Sequence, residues 1–217
     1  MASNNSEIDW ASALKPLIAK YKNEKHPLNY HSIYELMIMV ILSAQTTDDL
    51  INDVTPTFFK KYPNFKSLSK ATHEDLEQYL SKVRNFYKKA SWILEIAQLI
   101  KDDGNIPKTM AALVDLKGIG RKSANVIMRE AEIEAEGIIC DLHVIRVAER
   151  VGLTDEKKDG NKVEKDLMQL LPKKIWGDVG MALSFLGRDT CRPTNPKHEE
   201  CLLNKVCEYC LKNHGKS

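Results

Sequence analysis

The sequence predicts an all-α fold, and three observations carry that reading. Apolar residues recur at three- and four-residue spacing along most of the chain, as helices with one buried face require. No stretch alternates apolar and polar residues in the manner of a half-buried strand. The most apolar run, Leu36 to Leu42, lies in a window too long for a strand and reads as a buried central helix. The 217 residues suffice for one large domain or two small ones with a shared core, and 43% hydrophobic with 29% charged residues is ordinary for a globular chain. No internal repeat or low-complexity tract appears.

Taken in order, Ile8 to Tyr21 places Trp10, Leu14, Leu17 and Ile18 on one helical face. Pro27 separates it from the central helix, Ile33 to Gln45. Thr47 to Tyr62 follows, with Asp48 and Asp49 in the first turn and Pro56 interrupting the pattern. Thr72 has the look of an N-cap ahead of Leu76 to Leu80, which makes His73 a solvated first-turn residue rather than a ligand. Lys88 and Lys89, beside Phe86 and Tyr87, either bind phosphates or mark a wet face next to two core aromatics. Ala90 to Lys101 is the next amphipathic helix, closed by Gly104, Asn105 and Pro107. Two short helices, Thr109 to Val114 and Ser123 to Ala131, flank a tight joint. Asp141 to Val151 and Lys162 to Leu171 are split by a charged turn from Thr154 to Gly160, and Pro172 to Gly187 carries Trp176, Val179, Leu183 and Leu186.

The joint is Lys117-Gly118-Ile119-Gly120-Arg121. Two glycines around one apolar residue let the backbone take positive φ and expose consecutive N–H groups at a helix start. Such a cradle holds one phosphate, and the helix dipole adds to the attraction. The plain alternative is an ordinary helix–helix turn. Lys122 sits in the first turn of the following helix, where the dipole disfavours an ammonium, which suits a nucleophilic amine. Asp141 lies alone in the apolar run Ile139-Cys140-Asp141-Leu142-His143-Val144. It is either an N-cap or a carboxylate that handles protons and faces a developing cation.

Net charge is only +2, so a nucleic-acid surface would have to come from local clustering of Lys and Arg. No apolar run reaches membrane-spanning length and the start has no signal-peptide pattern, so the chain is expected in the cytoplasm. Of five cysteines, Cys191, Cys201, Cys207 and Cys210 crowd the last 27 residues. Inside a cell such a cluster reads as a metal or iron–sulfur site rather than disulfides, whereas Cys140 reads as a packed core thiol.

The stretch Leu116-Lys117-Gly118-Ile119-Gly120-Arg121-Lys122-Ser123-Ala124-Asn125, followed by Asp141-Leu142-His143-Val144-Ile145-Arg146-Val147, resembles the endonuclease III family of DNA glycosylases. The likeness runs from about Leu36 to Cys207, with Lys117 and Leu142 standing where the family usually has Pro and Thr. It implies a two-lobed helix-hairpin-helix fold with a C-terminal iron–sulfur loop. One lobe would span 27–134 and the other 1–26 with 135–217. It implies a base-excision glycosylase with AP lyase activity, Lys122 and Asp141 catalytic, acting on damaged bases, oxidised pyrimidines first. Gln45 would enter the gap left by the extruded base. Lys117, Gly118, Ile119, Gly120, Arg121 and His143 would meet the DNA, as would Asn85, which with Arg84 replaces the family's Gly and apolar wedge.

The family closes with Cys-x6-Cys-x2-Cys-x5-Cys around a 4Fe–4S cluster. Here Cys191, Cys201 and Cys207 keep the register while His198 occupies the second position, leaving His198 or Cys210 as fourth ligand, and zinc as the alternative metal. The partner implied is double-stranded DNA with damaged or abasic sites, bound by a monomer that associates with the nucleoid. Two other readings stay open: a mismatch-specific glycosylase of the same fold, and a non-catalytic helix-hairpin-helix module.

Overall fold

The computed structural model of the chain describes residues 8–214. Helix α1 (Trp10–Tyr21) starts on the Asp9 carboxylate, which accepts from the Ser12 amide. Helix α2 (Ile33–Leu42) is capped by Ser32 and buries Leu36 through Leu42 without a break. It stops three residues short of Gln45, whose φ of 58° lies in the left-handed region and cannot continue a helix. Helix α3 (Asp48–Lys61) runs through Pro56. The N–H that proline lacks is offset by burial of Val54, Thr55, Phe58 and Phe59 on either side of it. Helix α4 (Phe65–Leu68), a single turn closed by an Asn64–Ser67 capping box, is too short to leave a periodic signal. Helix α5 (His73–Leu80) is capped by Thr72, with His73 at its first position.

Helix α6 (Phe86–Ile100) starts four residues ahead of the expected Ala90, from Asn85 in the left-handed region. Phe86, Lys89, Ala90 and Ile93 form its buried face at i, i+3, i+4 and i+7. Helices α7 (Met110–Val114) and α8 (Arg121–Glu130) flank the glycine joint. Then come α9 (Leu142–Val151), α10 (Gly160–Leu170), α11 (Trp176–Asp189) and α12 (Glu208–His214), the last hidden from sequence by its seven-residue length. Among the described residues every regular element is helical, and no helix is long and apolar enough to cross a membrane.

The chain divides into two compact units, one being Lys25–Ile133 and the other the chain on either side of it. In Lys25–Ile133 the centre is α2, with Tyr34 in edge contact with Phe59 and Phe65. In the other unit, α1, α9, α10 and α11 share one core that takes in Leu14, Leu17, Val144, Val163 and Leu183. Two glycines of α11 make the close approach possible. A Cβ on Gly180 would lie 2.5 Å from the Ile139 carbonyl oxygen, and one on Gly187 2.9 Å from the His143 Cβ.

Candidate active site

In the unit Lys25–Ile133 the joint between α7 and α8 is anchored by Leu116 and Ile119, both buried, while Lys117 and Gly120 stay exposed. Gly118 has φ +85°, and a Cβ there would lie 2.6 Å from the Trp92 ring, so the turn needs this glycine for conformation and for space. Gly120 differs from the expectation. Its φ is −91°, and a Cβ on it would meet nothing within 4 Å. Only one of the two glycines is required by the free protein.

Helix α8 then begins at Arg121 with no side-chain cap, and Lys122 is its exposed second residue. The Lys117 ammonium pairs with Glu95 at 2.9 Å, an exposed contact that water screens. His26 lies within electrostatic reach of Lys122, Glu130 and Asp48. Burial pushes its pKa down to about 4; Glu130 opposes that and Lys122 adds to it. Its Nδ1 accepts from the Leu28 amide at 3.1 Å, as a neutral ring can. Tyr30 and Arg129 both donate to the Glu130 carboxylate.

Two exposed loops of this unit carry the remaining DNA-contact candidates. Gln45 and Asn85 are both exposed and both left-handed, at φ 58° and 56°. Lys89 corrects the sequence reading. It is 2% exposed, on neither a wet face nor a phosphate-binding one, and its ammonium donates to the Leu42 and Ala44 carbonyls. The i, i+3, i+4 relation to Phe86 and Ala90 was the available signal.

In the other unit Asp141 is the N-cap of α9. Its Oδ1 accepts from the amides of His143 and Val144 at 2.9 and 2.8 Å. Its Oδ2 accepts from the Ser184 hydroxyl of α11 at 2.6 Å. Ser184 left no signal in the sequence, since nothing marks which α11 residue faces the α9 start. His143 follows Asp141 by two residues, with burial lowering its pKa and Asp141 opposing. Leu142, between them, is 78% exposed.

Further along α9, Arg146 donates to the Gly187 carbonyl at 2.8 Å, and Arg150 to the carbonyls of Arg192 and Pro193 at 2.7 and 3.0 Å. These bonds hold the start of the cysteine loop. Cys191, Cys201, Cys207 and Cys210 line one pocket together with His198, and none is in a disulfide. Burial raises the thiols of Cys201 and Cys207, the latter to about 11. Arg150 reaches the Cys191 sulfur at 3.5 Å, a cation beside a thiol that would have to ionise to bind metal. His198 stacks on Tyr209 with ring centroids 5.5 Å apart. Among the described residues no three His, Cys, Asp or Glu side chains converge on a single-ion position. Thiols and an imidazole lining one space are the donor types that iron–sulfur clusters and zinc both use. Cys140 lies apart in the hydrophobic core, its thiol raised by burial.

The stretch of chain that contains the glycine joint, Lys122 and Asp141 falls within the match to a known family model. That model, the HhH-GPD superfamily of base excision DNA repair proteins, fits residues 38–173. The chain belongs to this superfamily. It is 37% identical over 185 residues to endonuclease III of Bacillus subtilis, covering 84% of each chain. To endonuclease III of Synechocystis it is 34% identical over 182 residues, covering 83% of each. A solved structure of a trapped endonuclease III–DNA covalent intermediate superposes with a TM-score of 0.83 at 30% identity, covering 99% of this chain and 100% of that one. A non-covalent endonuclease III–DNA complex superposes with a TM-score of 0.81 at 32% identity, covering 94% and 96%. The resemblance seen in the sequence is thus a family relation, and the chain is a base-excision DNA glycosylase with AP lyase activity. A 4Fe–4S cluster is usual in this family.

Proposed function

We propose that the chain excises oxidised pyrimidines from double-stranded DNA and cleaves the resulting abasic site through a covalent intermediate on Lys122. The observation that carries this is the uncapped start of α8, where Lys122 stands exposed one residue past the glycine joint, in a chain whose relatives include a trapped covalent DNA intermediate. The damaged nucleotide leaves the stack first, because its C1′ is out of reach within the duplex. Amides at the α8 start, with Lys117, Gly118, Ile119, Gly120 and Arg121, hold a backbone phosphate, and His143 meets the backbone from α9. Gln45 and Asn85 fill the gap and face the orphan base.

The Lys122 amine attacks C1′, and the C1′–N bond breaks with its electron pair leaving on the base, which takes up a proton as Nζ sheds one. Opening of the sugar ring gives a Schiff base between C1′ and Nζ. Loss of a C2′ proton then expels the 3′ phosphate by β-elimination, and water releases the lysine. The Asp141 carboxylate, held by two amides and Ser184, offsets the positive charge that develops on the sugar.

In the cysteine loop, Cys191, Cys201, Cys207 and Cys210 are proposed to hold a 4Fe–4S cluster, with His198 kept as a stacking partner of Tyr209. The cluster would cross-link the loop and takes no part in bond breaking. The enzyme is proposed to act as a monomer on nucleoid DNA in the cytoplasm. A glycosylase assay over duplexes carrying thymine glycol, 5-hydroxycytosine or single mismatches tests the substrate, and mismatch excision alone would overturn it. Iron analysis tests the ligands. Cys210→Ser is expected to lose iron while His198→Ala retains it, and the reverse ranking would make His198 the ligand.

A further inference from the structure

The Lys89 side chain is buried in Lys25–Ile133, yet its ammonium has an acceptor for each of its protons. It donates to the Leu42 carbonyl at 2.7 Å, the Ala44 carbonyl at 2.6 Å and the Thr46 hydroxyl at 3.3 Å. Leu42 is the last residue of α2, so the ammonium also meets the negative end of that helix, where carbonyls lack partners. Ala44 and Thr46 flank Gln45 on both sides. The Thr46 amide bonds the Ser43 carbonyl at 2.9 Å, which closes the loop beneath Gln45.

The same lysine engages the second loop through its backbone. Its amide donates to the Asn85 carbonyl at 3.2 Å, in the first turn of α6. One buried residue therefore bonds Asn85 through its main chain and both neighbours of Gln45 through its side chain. A left-handed φ at a residue other than glycine costs roughly 1–2 kcal/mol and persists only where the surroundings fix it.

We propose that Lys89 is a positioning residue that fixes the Gln45 loop against the Asn85 turn, so that both side chains enter the duplex as one preorganised pair. This rests on the reading of Gln45 and Asn85 as gap-filling residues. Lys89 itself touches no DNA. Its contribution is to hold the loop conformation before binding, so that base extrusion does not also have to order it.

The test is a mutant cycle of Lys89→Met and Gln45→Ala, read by single-turnover excision of thymine glycol, by affinity for undamaged duplex, and by amide exchange of residues 43–46. Lys89→Met is expected to slow excision about tenfold, a change of roughly 1.4 kcal/mol, with duplex affinity within about twofold. Exchange of the loop amides should rise, and Lys89→Met should add little in the Gln45→Ala background. If Gln45→Ala alone excises like the unsubstituted enzyme, the gap-filling reading falls and this proposal with it. If Gln45→Ala is slow and Lys89→Met is not, or the two losses multiply, the gap-filling reading stands and the role of Lys89 alone is overturned. Should Lys89→Met fail to fold, Thr46→Val removes one acceptor at a half-buried position and serves in its place. A roughly threefold loss that vanishes in the Gln45→Ala background is expected, and an independent loss or none would overturn the proposal.

Discussion

Helices α8 and α9 begin in opposite ways, though each has a residue proposed for the chemistry at or near its start. The N-cap of α8 is Gly120, which offers no side chain and has open space where a Cβ would be. Helix α9 starts at Asp141, whose own carboxylate satisfies two amides and accepts from Ser184 as well. An uncapped start leaves its dipole to an outside anion. A capped start spends its local donors on a carboxylate and fixes that charge in one direction. Under the proposed roles the difference separates an exposed nucleophile from a held counter-charge, and each can be tested by breaking its own feature.

Removing the α8 amine has the largest effect. Lys122→Gln is expected to lower excision and incision by roughly three orders of magnitude or more, with duplex affinity largely kept, because phosphate binding rests on amides. Gel-based single-turnover assays beside a binding titration check both halves.

The next effect is on stability below neutral pH. His26, near the α8 start, is held neutral with its pKa pushed down to about 4 by burial. A depressed pKa means that the unfolded chain takes up a proton first as the pH falls. Its share of stability is therefore complete above about pH 6.5 and declines from there down to about pH 4, by up to about 3 kcal/mol. Denaturant melts from pH 7 to 4 on the protein and on His26→Gln should show the slope reduced in the variant.

The two glycines of the joint separate stability from binding. Gly118→Ala places a Cβ against Trp92 at a φ of +85° and should cost about 2 kcal/mol of stability. Gly120→Val should leave the melting point almost unchanged and weaken binding to all duplexes alike, since a phosphate contact carries no sequence information. Loss confined to lesion-bearing DNA would show instead that this turn reads the damage. At α9, Ser184→Ala frees one Asp141 oxygen and should slow excision about tenfold or less, with little change in affinity, as expected for one hydrogen bond to a charged group.

How much of this was legible in the sequence divides along physical lines. The helices with long apolar periodicity, α1, α2, α3 and α11, could be read directly, because burial of one face writes itself into spacing. The one-turn α4 and the short α12 left no period to read. Lys122 was visible because a helix start is a local feature. The Ser184 bond to Asp141 and the Lys89 bonds to the Gln45 loop were not, because each joins residues more than forty positions apart. Gly120 shows the opposite error: a glycine pattern suggested positive φ twice where the backbone uses it once.

The central claim is that Lys122, at the uncapped start of α8, bonds to the sugar. The most direct measurement is borohydride reduction of the enzyme on a duplex with one abasic site, followed by digestion and mass spectrometry of the cross-linked peptide. The added mass is expected on the peptide containing Lys122, with no cross-link in Lys122→Gln. A cross-link on another lysine, or one that survives in Lys122→Gln, would contradict it.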